Sequence, residues 1–440
     1  MAARELAALI LAAGRGTRFK SRRPKVLHEV GGRPMLAFAL EAAEALGAKR
    51  CLVVTGFGAE AVEERFAGRA EFVHQADQRG TGHAVGLCRD PLGRFDGDVL
   101  VLYGDTPLLR GETLRRMAAH KSRSGADLVL LSAPVDVPGI VVRDAAGGVA
   151  RIVEATDASP EELAISERNT GVYLLDAGLL WKLLDRVDDR NTQREIYLTS
   201  IVELAVGDGL QVEALALPDA EEALGVNTRA ELAVANQRMR QRTLNRLMAA
   251  GVTIVDPTST YVDVEVEIGA DTLIEPGCVI QGASRIGSGA HLKPGCVIES
   301  SWIGDDVTLG PNAHIRPDCV IGDGSRIGNF VEVKNSVLGA GVKADHLSYI
   351  GDADVGAGAS FGCGSIVVNY DGQKKHRTAV GERAFIGCNV NLVAPVAVEA
   401  GAFVAAGSTI TTDVPGGALA VARARQRNVE GWVARRRKRD

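Results

Sequence analysis

The chain has 440 residues, of which 46% are apolar and 24% charged, and this balance excludes wholesale disorder. A chain of this length exceeds what one compact core usually serves, so two or three structural units are expected. The net charge is −5, so no chain-wide basic field exists to attract nucleic acid, and we expect none as a partner.

The sequence gives no sign of export or of a membrane span. Its longest early apolar run, residues 6–13, is far shorter than the ~18 residues that cross a bilayer. The alternative is a short signal-peptide core, but Glu5 precedes the run and Gly-Arg-Gly-Thr-Arg follows it. The seven cysteines are widely spread without a CxxC pair, which predicts reduced thiols and a cytoplasmic protein.

Residues 1–227 alternate short β-branched runs with helical patterns. This rhythm is typical of a mostly parallel, Rossmann-like sheet with helices on both faces. The first strand is predicted within residues 6–13, and later strands at Asp98–Tyr103 and Ala126–Leu131. Because ligands of such sheets bind at the carboxyl ends of the strands, we expect a site there.

Residues 228–250 form a helical pattern that we interpret as a linker helix. Thr228 and Glu231 have the spacing of a capping box, and Gly251 stands where a helix would end. The alternative is an ordinary surface helix of the first domain, and only the domain boundary depends on the choice.

From residue 251 to 440 the apolar pattern changes to a period of six, and many of these residues precede glycine. A hexapeptide repeat predicts a parallel β-helix, left-handed in this class, with about eighteen residues per coil and roughly eight coils. This architecture explains why the chain has 51 glycines but only 4% aromatic residues. The predicted inward-facing residues are Val262, Ile268, Ile274, Ile280, Ile286, Leu292, Ile298, Ile303, Leu309, Ile315, Ile321, Ile327, Val333, Leu338, Ala344, Ile350, Val380, Ile386, Leu392, Val398, Val404 and Ile410.

The segment Asn369–Thr378 (NYDGQKKHRT) interrupts the repeat. An insertion in a solenoid must project as a loop, and loops on a rigid scaffold often carry function. We therefore expect part of a site at this insertion.

The segment Leu11–Arg18 (LAAGRGTR) follows the first predicted strand. Its small residues suit a backbone cradle for phosphates, although it is neither a P-loop nor a dinucleotide fingerprint. Lys25 adds a cation that could neutralise phosphate charge. The alternatives are an ordinary tight turn and a solvated lysine.

Asp105 follows the predicted strand Asp98–Tyr103 at its carboxyl end. Since magnesium takes phosphate oxygens and waters as most of its ligands, one carboxylate here can hold Mg²⁺ against a triphosphate. A helix cap is the alternative reading of this aspartate. Gln75 and the run Gly80-Thr81-Gly82 lie between the two motifs in the chain.

Motifs spread over nearly the whole chain match a known order. They are LAAGRGTR, PKVLH, RGTGHAV, YGDTPLL, RNTGVY, NTQREIYLTS and GVNTRAEL, followed by the hexapeptides and NYDG. Together they resemble the bacterial bifunctional N-acetylglucosamine-1-phosphate uridyltransferases/glucosamine-1-phosphate acetyltransferases. The resemblance implies synthesis of UDP-N-acetylglucosamine, which feeds peptidoglycan and related cell-envelope polymers.

The resemblance implies that the N-terminal domain joins UMP from UTP to N-acetylglucosamine-1-phosphate with the help of Mg²⁺, releasing pyrophosphate. Such a transfer is mostly positioning and charge neutralisation, so no protein nucleophile is required. By motif, the expected residues are Leu11, Ala12, Ala13, Gly14, Gln75, Gly80 and Thr81 for the nucleotide, Arg18 and Lys25 for its phosphates, Asp105 and Asn227 for Mg²⁺, and Tyr103, Gly104, Gly139, Glu154 and Asn169 for the sugar side.

The resemblance also implies that the β-helix transfers acetyl from acetyl-CoA to glucosamine-1-phosphate. His346 is the expected proton acceptor, because histidine suits a base near neutral pH. The sugar phosphate is expected at Arg316, Lys334, Tyr349, Ser360 and Asn369, and acetyl-CoA at Ser360, Cys363, Asn369, Tyr370, Cys388, Ala406 and Arg423.

The chain departs from the family's common motifs at several of these positions. Ile140-Val141-Val142 stand where Tyr-Gly is usual, Ala155-Thr156 where His-Lys is common, and Ser200 where aspartate is usual. In the β-helix, Ser360 replaces an asparagine and Cys388 a serine.

Homotrimers with active sites between neighbouring prisms are implied by the same resemblance.

A zinc site of three histidines is not expected, because the region has no HxxxxH pair, and we interpret His74, His83, His291 and His314 as structural. The basic tail Arg435–Arg439 is interpreted first as a solvated end, second as a contact for CoA phosphates and third as a contact for nucleic acid. Two rival functions are a single-activity nucleotidyltransferase with a structural or regulatory prism and a non-catalytic sugar-nucleotide scaffold.

Overall fold

The computed structural model describes residues 4–437 and divides the chain into two compact units. The units are residues 1–239 and residues 240–440. Within residues 4–437, the helices are too short or too polar for any of them to span a bilayer.

The first unit is built on a nine-stranded sheet, counted over residues 4–239. Its strands and a separate small hairpin are β1 Glu5–Leu11, β2 Glu29–Val30, β3 Arg33–Pro34, β4 Arg50–Thr55, β5 Glu71–His74, β6 Gly97–Tyr103, β7 Leu128–Ala133, β8 Gly139–Arg143, β9 Val149–Glu154, β10 Arg168–Asp176 and β11 Val212–Ala216. The main path of the sheet is β11-β7-β10-β6-β1-β4-β5, with β8 and β9 attached to β10, and β2 pairs with β3 alone.

Strand direction decides which residues share an edge of this sheet. β1, β4, β5 and β6 are mutually parallel, whereas β10 runs antiparallel to β6 and β7. The carboxyl ends of the parallel strands and the amino end of β10 therefore lie at one edge. The mostly parallel α/β architecture predicted for this region is confirmed.

Two predicted strands have slightly different bounds in the structure. β6 begins one residue earlier than predicted, at Gly97, and β7 covers Leu128–Ala133 instead of residues 126–131. β7 starts later because the backbone N–H groups of Asp127 and Leu128 both bond to the carbonyl of Gln211, where pairing with β11 begins.

Helices cover both faces of the sheet, and each face has its own apolar core. Alternate residues of β1 show the division, since Leu9 belongs to one core and Ile10 to the other. The helices of the first unit are α1 Met35–Leu46, α2 Ala59–Arg65, α3 Thr81–Gly86, α4 Arg89–Leu92, α5 Gly111–Ser124, α6 Pro160–Leu163, α7 Ala177–Leu184 and α8 Ser200–Gly207, with 3-10 turns at Thr17–Phe19, Lys25–Leu27 and Ala220–Ala223.

Helix α9 spans Arg229–Ala249 and contains the division between the two units. Its predicted capping box is present: Thr228 Oγ1 accepts from the Glu231 N–H at 3.2 Å, and the Glu231 carboxylate accepts from the Thr228 N–H at 2.8 Å. Leu244 and Leu247 join the apolar core of the second unit.

The second unit is a left-handed parallel β-helix whose three faces are sheets of ten, nine and eight strands, counted over residues 240–437. Eight complete coils follow from the smallest sheet, as predicted. The first face holds β12 Thr253–Ile254, β15 Leu273–Ile274, β18 His291–Leu292, β21 Thr308–Leu309, β24 Arg326–Asn329, β27 Lys343–His346, β30 Ser360–Phe361, β33 Phe385–Ile386, β36 Phe403–Val404 and β38 Leu419–Ala420.

The second and third faces have the same parallel pairing between coils. The second face holds β13 Tyr261–Val262, β16 Val279–Gln281, β19 Val297–Glu299, β22 His314–Ile315, β25 Glu332–Lys334, β28 Tyr349–Gly351, β31 Ile366–Val368, β34 Asn391–Val393 and β37 Thr409–Ile410. The third face holds β14 Glu267–Ile268, β17 Arg285–Ile286, β20 Trp302–Ile303, β23 Val320–Ile321, β26 Val337–Leu338, β29 Ala353–Val355, β32 Thr378–Val380 and β35 Val396–Val398. A final helix, α10, covers Trp432–Arg436.

All the residues predicted to point inward are buried and form one continuous core. Each coil adds one aliphatic side chain per face, so the burial of a coil depends on the coils above and below it.

The insertion 369–378 projects between β31 and β32 as a short hairpin. Tyr370 pairs with Lys375, and the His376 N–H bonds to the Asn369 carbonyl at 2.8 Å. The Asp371 carboxylate accepts from the N–H groups of Gln373 and Lys374, each at 2.8 Å, and so fixes the turn.

Candidate functional site

The first candidate site is a cavity of about 290 Å³ at the ligand-binding edge of the sheet. It lies where β1 and β6 end, and the Gly104 N–H bonds to the Leu11 carbonyl at 3.0 Å. Most of the predicted nucleotide residues are brought together here. The lining is Leu11, Ala12, Ala13, Gly14, Lys25, Val26, Gln78, Gly80, Thr81, Ala84, Tyr103, Asp105 and Glu195.

Lys25 joins the two residues predicted to hold a metal ion. Its ammonium is paired with the Asp105 carboxylate and donates to Asn227 Oδ1 at 2.9 Å. The Val226 N–H also bonds to the Asp105 carbonyl at 2.9 Å, which ties the segment before α9 to the end of β6. The side-chain oxygens of Asp105 and Asn227, which are distant in sequence, therefore meet at one ammonium group.

The segment around Gly80 closes one side of this cavity. Gly80 has φ +102°, and an added Cβ would lie 2.6 Å from the Ile196 carbonyl, so only glycine fits. Gln75 is buried, and its amide nitrogen lies 3.3 Å from the Gly80 carbonyl.

Gln78 and Glu195 also line the cavity, but the motif reasoning did not select them. The Gln78 side chain donates to the Ala13 carbonyl at 2.6 Å and so closes onto the phosphate-cradle segment. The signal available for Gln78 was its place between Gln75 and Gly80 in one motif.

The residues predicted for the sugar side lie next to one another. Gly139 is in register with Glu154, and a Cβ on Gly139 would lie 3.3 Å from the Asn169 side chain. Burial raises the pKa of Glu154, whose carboxylate accepts from Thr199 Oγ1 at 3.1 Å. Tyr103 completes the group, and burial raises the pKa of its hydroxyl too. These carboxylate, amide and hydroxyl groups suit sugar hydroxyls as partners.

Arg18 stands apart from the other predicted residues. It is exposed in the 3-10 turn Thr17–Phe19, while a neighbouring cavity of about 510 Å³ has Arg15 and Lys20 in its lining. Arg15 lies in the segment Leu11–Arg18 and Lys20 lies just after it. The second cavity therefore extends the positively charged surface beside the first cavity.

The altered segment Ile140-Val141-Val142 is part of strand β8. Ile140 and Val141 are fully buried, and Arg143 at the end of the strand pairs with Glu167 at 2.8 Å. The substitutions thus change the strand's core-facing side chains, while Gly139 keeps its place beside Glu154.

In the second unit, four of the residues predicted for acetyl-CoA stack along one edge of the prism together with His346, whereas Asn369 and Tyr370 lie at the projecting hairpin. The edge follows the first face, and backbone bonds link successive coils there, such as Asn389 N–H to the Cys363 carbonyl and Gly407 N–H to the Cys388 carbonyl, both at 2.8 Å. The Arg423 guanidinium donates to the Ala406 carbonyl at 2.8 Å. In order along the edge they are His346, Cys363, Cys388, Ala406 and Arg423.

Except for Ser360, the predicted sugar-phosphate residues gather at the far end of the second face. Asn369 is buried, and its side-chain amide donates to the Asp352 carboxylate and lies 3.3 Å from the Tyr349 hydroxyl. Lys334 lies 3.4 Å from Asp352, and Arg316 pairs with Glu332 at 2.9 Å. The hydrogen bond from Arg316 to Glu332 raises the pKa of the guanidinium.

Lys375 joins this cluster, although the motif reasoning did not select it. Its amine faces that of Lys334 within hydrogen-bonding range, and this contact lowers the pKa of Lys375. Lys375 comes from the projecting hairpin, so only the path of the insertion brings it beside Lys334. Two lysines and an arginine at one place form a strong site for a phosphate dianion.

His346 and Ser360 lie on the first face and not in the phosphate cluster. His346 ends β27 and is exposed, lining a cavity of about 210 Å³ together with Asn329, Arg326 and Asp345. Ser360 pairs with Lys343 and Phe385 on that same face. Within one prism, His346 thus lies at the corner between the first and second faces. Lys334 lies at the opposite end of the second face.

Of the histidines predicted to be structural, His83 lies 3.0 Å from the Gln75 amide, and His291 and His314 pair with Glu275 at 2.6 Å and Glu299 at 3.3 Å. His74 is instead exposed and lines the cavity of about 510 Å³. Among residues 4–437, no three His, Cys, Asp or Glu side chains are grouped so that they could hold a metal ion. Of the basic tail, Arg435 and Arg436 are exposed in α10, and Lys438 and Arg439 lie outside the described residues.

Comparison with known proteins finds relatives that match both units. Residues 8–172 match the MobA-like NTP transferase domain, and residues 265–300 and 300–335 match bacterial transferase hexapeptide repeats. The bifunctional protein GlmU of Pelobacter propionicus is 47% identical over 98% of this chain and 99% of its own length. The proteins of that name from Trichlorobacter lovleyi and Geobacillus sp. WCH70 are 47% and 48% identical, covering 98% and 97% of both chains, respectively.

These relatives extend over both units, so the likeness is not confined to one domain. The chain belongs to the GlmU family of bifunctional transferases, with an N-terminal nucleotidyltransferase (uridyltransferase) and a C-terminal hexapeptide-repeat acetyltransferase.

Proposed function

We propose that each unit uses the residues gathered in its own site for one step of UDP-N-acetylglucosamine synthesis. The prism acetylates glucosamine-1-phosphate with acetyl-CoA, and the first unit transfers UMP from UTP to the N-acetylated product. The observation that carries this proposal is the convergence of Lys25, Asp105 and Asn227, which are distant in sequence, beside the cavity of the first unit. In the prism, the cluster of Lys334, Arg316 and Lys375 and the edge that holds His346 support the second reaction.

In the uridylyl transfer, a phosphate oxygen of the sugar attacks the α-phosphorus of UTP, and pyrophosphate leaves. The segment Leu11–Gly14 offers backbone N–H groups to the nucleotide, and Lys25 neutralises phosphate charge. Glu154 and Asn169 orient the sugar through its hydroxyls. Because a phosphate oxygen attacks a phosphate group directly, orientation of the two substrates and neutralisation of their charge supply most of the catalysis.

Asp105 and Asn227 fit a magnesium ion. Both direct an oxygen to the Lys25 ammonium, so the two oxygens are close enough to share one cation, and carboxylate and amide oxygens are ligands that magnesium accepts. Bound there, Mg²⁺ would neutralise triphosphate charge. Lys25 would then turn from these oxygens to the phosphates.

In the acetyl transfer, the sugar amine attacks the thioester carbonyl of acetyl-CoA, His346 accepts the amine's proton, and the thiol of CoA leaves. Histidine suits this exchange because its ordinary pKa lies near neutrality. Arg316, Lys334 and Lys375 hold the sugar phosphate. The edge from His346 to Arg423 offers a track on which CoA can lie.

We propose that the active unit of the acetyltransferase is a homotrimer with its sites between prisms. His346 and Lys334 stand at opposite ends of the second face of one prism, so a neighbouring prism is needed to place an imidazole beside the phosphate cluster. A cytoplasmic location is also proposed, and the seven free cysteines within residues 4–437 support it.

Two assays on the purified full chain test this division of labour. Free thiol should appear from acetyl-CoA only when glucosamine-1-phosphate is present, and pyrophosphate should appear from UTP with N-acetylglucosamine-1-phosphate and Mg²⁺. His346→Ala should abolish the first signal and leave the second, whereas Asp105→Asn should do the reverse.

The two variants serve as controls for each other, since each keeps one activity as evidence of a folded chain. Loss of both activities, or of neither, in either variant would contradict the proposal. Pyrophosphate release without any thiol release by the unmodified chain would instead favour the single-activity nucleotidyltransferase.

A further inference from the structure

Asp352 is the most buried acidic group near the phosphate cluster of the prism. Its side chain is only 6% exposed, and it follows strand β28 at the corner between the second and third faces. A buried carboxylate is costly unless several donors satisfy it, so its partners indicate what it does.

Three side chains donate to this carboxylate. Asn335 donates to Oδ1 at 2.5 Å, Asn369 donates to Oδ2, and Lys334 Nζ lies 3.4 Å from Oδ2. Burial opposes ionisation, but these hydrogen bonds and the charge of Lys334 together lower the pKa of Asp352 below its ordinary value. Asp352 is therefore an anion near neutral pH.

The carboxylate also acts on a neighbouring pair of amines. The Lys334 ammonium faces the Lys375 amine, and this contact raises the pKa of Lys334 and lowers the pKa of Lys375, whereas the charge of Asp352 raises the pKa of both. The charged and titratable groups around them are Arg316 with its partner Glu332, Asp352, and the hydroxyl of Tyr349. Asp352 is the anion that bonds to Lys334 directly.

We propose that Asp352 is a positioning residue for the sugar phosphate, which holds Lys334 and Asn369 in place and supplies the anion that favours positive charge on Lys334 and Lys375. A doubly charged lysine pair matches a phosphate dianion. The inference rests on the proposed acetyltransferase function and assigns to Asp352 no contact with the reacting atoms.

Asp352→Asn removes the charge and preserves the shape. Without the anion, one lysine loses its proton more easily, and a lysine with a lowered pKa loses its charge as the pH rises. The KM for glucosamine-1-phosphate, relative to the unmodified enzyme, should therefore increase with pH and reach about tenfold near pH 9. The KM for acetyl-CoA should stay within about twofold, because CoA lies along the other edge.

Two further variants separate this role from a structural one. Asp352→Glu disturbs the packing but restores the charge, so its KM for the sugar phosphate should show the pH dependence of the unmodified enzyme, even if its absolute value is higher. Asp354→Asn removes a carboxylate two residues away, which is exposed and pairs with Arg377, and its KM values should be unchanged.

The inference would be overturned if the Asn variant showed the same pH dependence of KM as the unmodified enzyme, or if the Glu and Asn variants shared one altered dependence. It would also be overturned if Asp354→Asn behaved as Asp352→Asn does. Failure of the proposed function would look different, because the unmodified chain itself would then release no thiol in response to glucosamine-1-phosphate.

Discussion

At the residue scale, the first site depends on two glycines at which a side chain would collide with a site residue or the backbone behind it. A Cβ on Gly80 would meet the Ile196 carbonyl, and a Cβ on Gly171 would lie 2.1 Å from the ring of Tyr103. Gly171 also has φ +79°, so glycine is required there both for its backbone conformation and because a Cβ has no room. The position of the Tyr103 ring in this site is thus set from a neighbouring strand.

We expect Gly171→Ala to displace Tyr103 and reduce kcat/KM for uridylyl transfer by about tenfold to 100-fold, because small misplacements of an orienting group are costly. Steady-state pyrophosphate release measures this effect. Gly147→Ala is the matched control, since Gly147 has φ +86° but no atom within 4 Å of an added Cβ. Equal losses in the two variants would mean that backbone strain, and not the contact with Tyr103, is responsible.

At the scale of elements, each short strand of the prism is held mainly by the coils on either side of it. β26 has two residues with opposite surroundings: Leu338 is 1% exposed in the core, whereas Val337 is 46% exposed. Strands of two residues form few hydrogen bonds of their own, so the stacked aliphatic side chains supply the stability.

Leu338→Ala should lower the free energy of unfolding by about 2–5 kcal/mol, through lost burial and the cavity that remains. Val337→Ala, one position away in the same strand, should change it by less than about 0.5 kcal/mol. Urea denaturation followed by circular dichroism gives both values. A similar loss in the two variants would argue against a core held by one inward side chain per strand.

At the scale of the whole molecule, the proposed trimer requires each acetyltransferase site to draw on more than one copy of the prism. His346→Ala and Lys334→Ala should each be inactive in acetyl transfer while retaining uridylyl transfer. When the two variants are co-expressed in equal amounts, mixed trimers combine an intact His346 from one copy with an intact Lys334 from another. About a quarter of the unmodified thiol release should return if the trimer closes with random composition.

Separately purified variants, mixed without exchange of subunits, provide the control and should stay inactive. If the co-expressed protein were equally inactive, each site would have to draw both residues from one chain, and the trimeric arrangement of the sites would be wrong.

The sequence by itself determined the fold of both units and most of the chemistry. The period of six fixes a β-helix because each coil must bury one aliphatic side chain per face, and the alternation before residue 228 fixes a parallel sheet with a binding edge. Through the family resemblance, motif order assigned Lys25 and Asp105 to one site and His346 to another without any knowledge of distance, and in the structure Lys25 pairs with Asp105.

Only the tertiary structure decided which groups meet across long stretches of chain. The pairing of Lys25 with Asn227, the approach of Lys375 to Lys334 and the donors around Asp352 have no local pattern, because the path of the segments between them sets each contact. The spacing of residues in the sequence predicts which side chains share one strand or turn. The balance of charge in a site depends instead on side chains from other coils and loops.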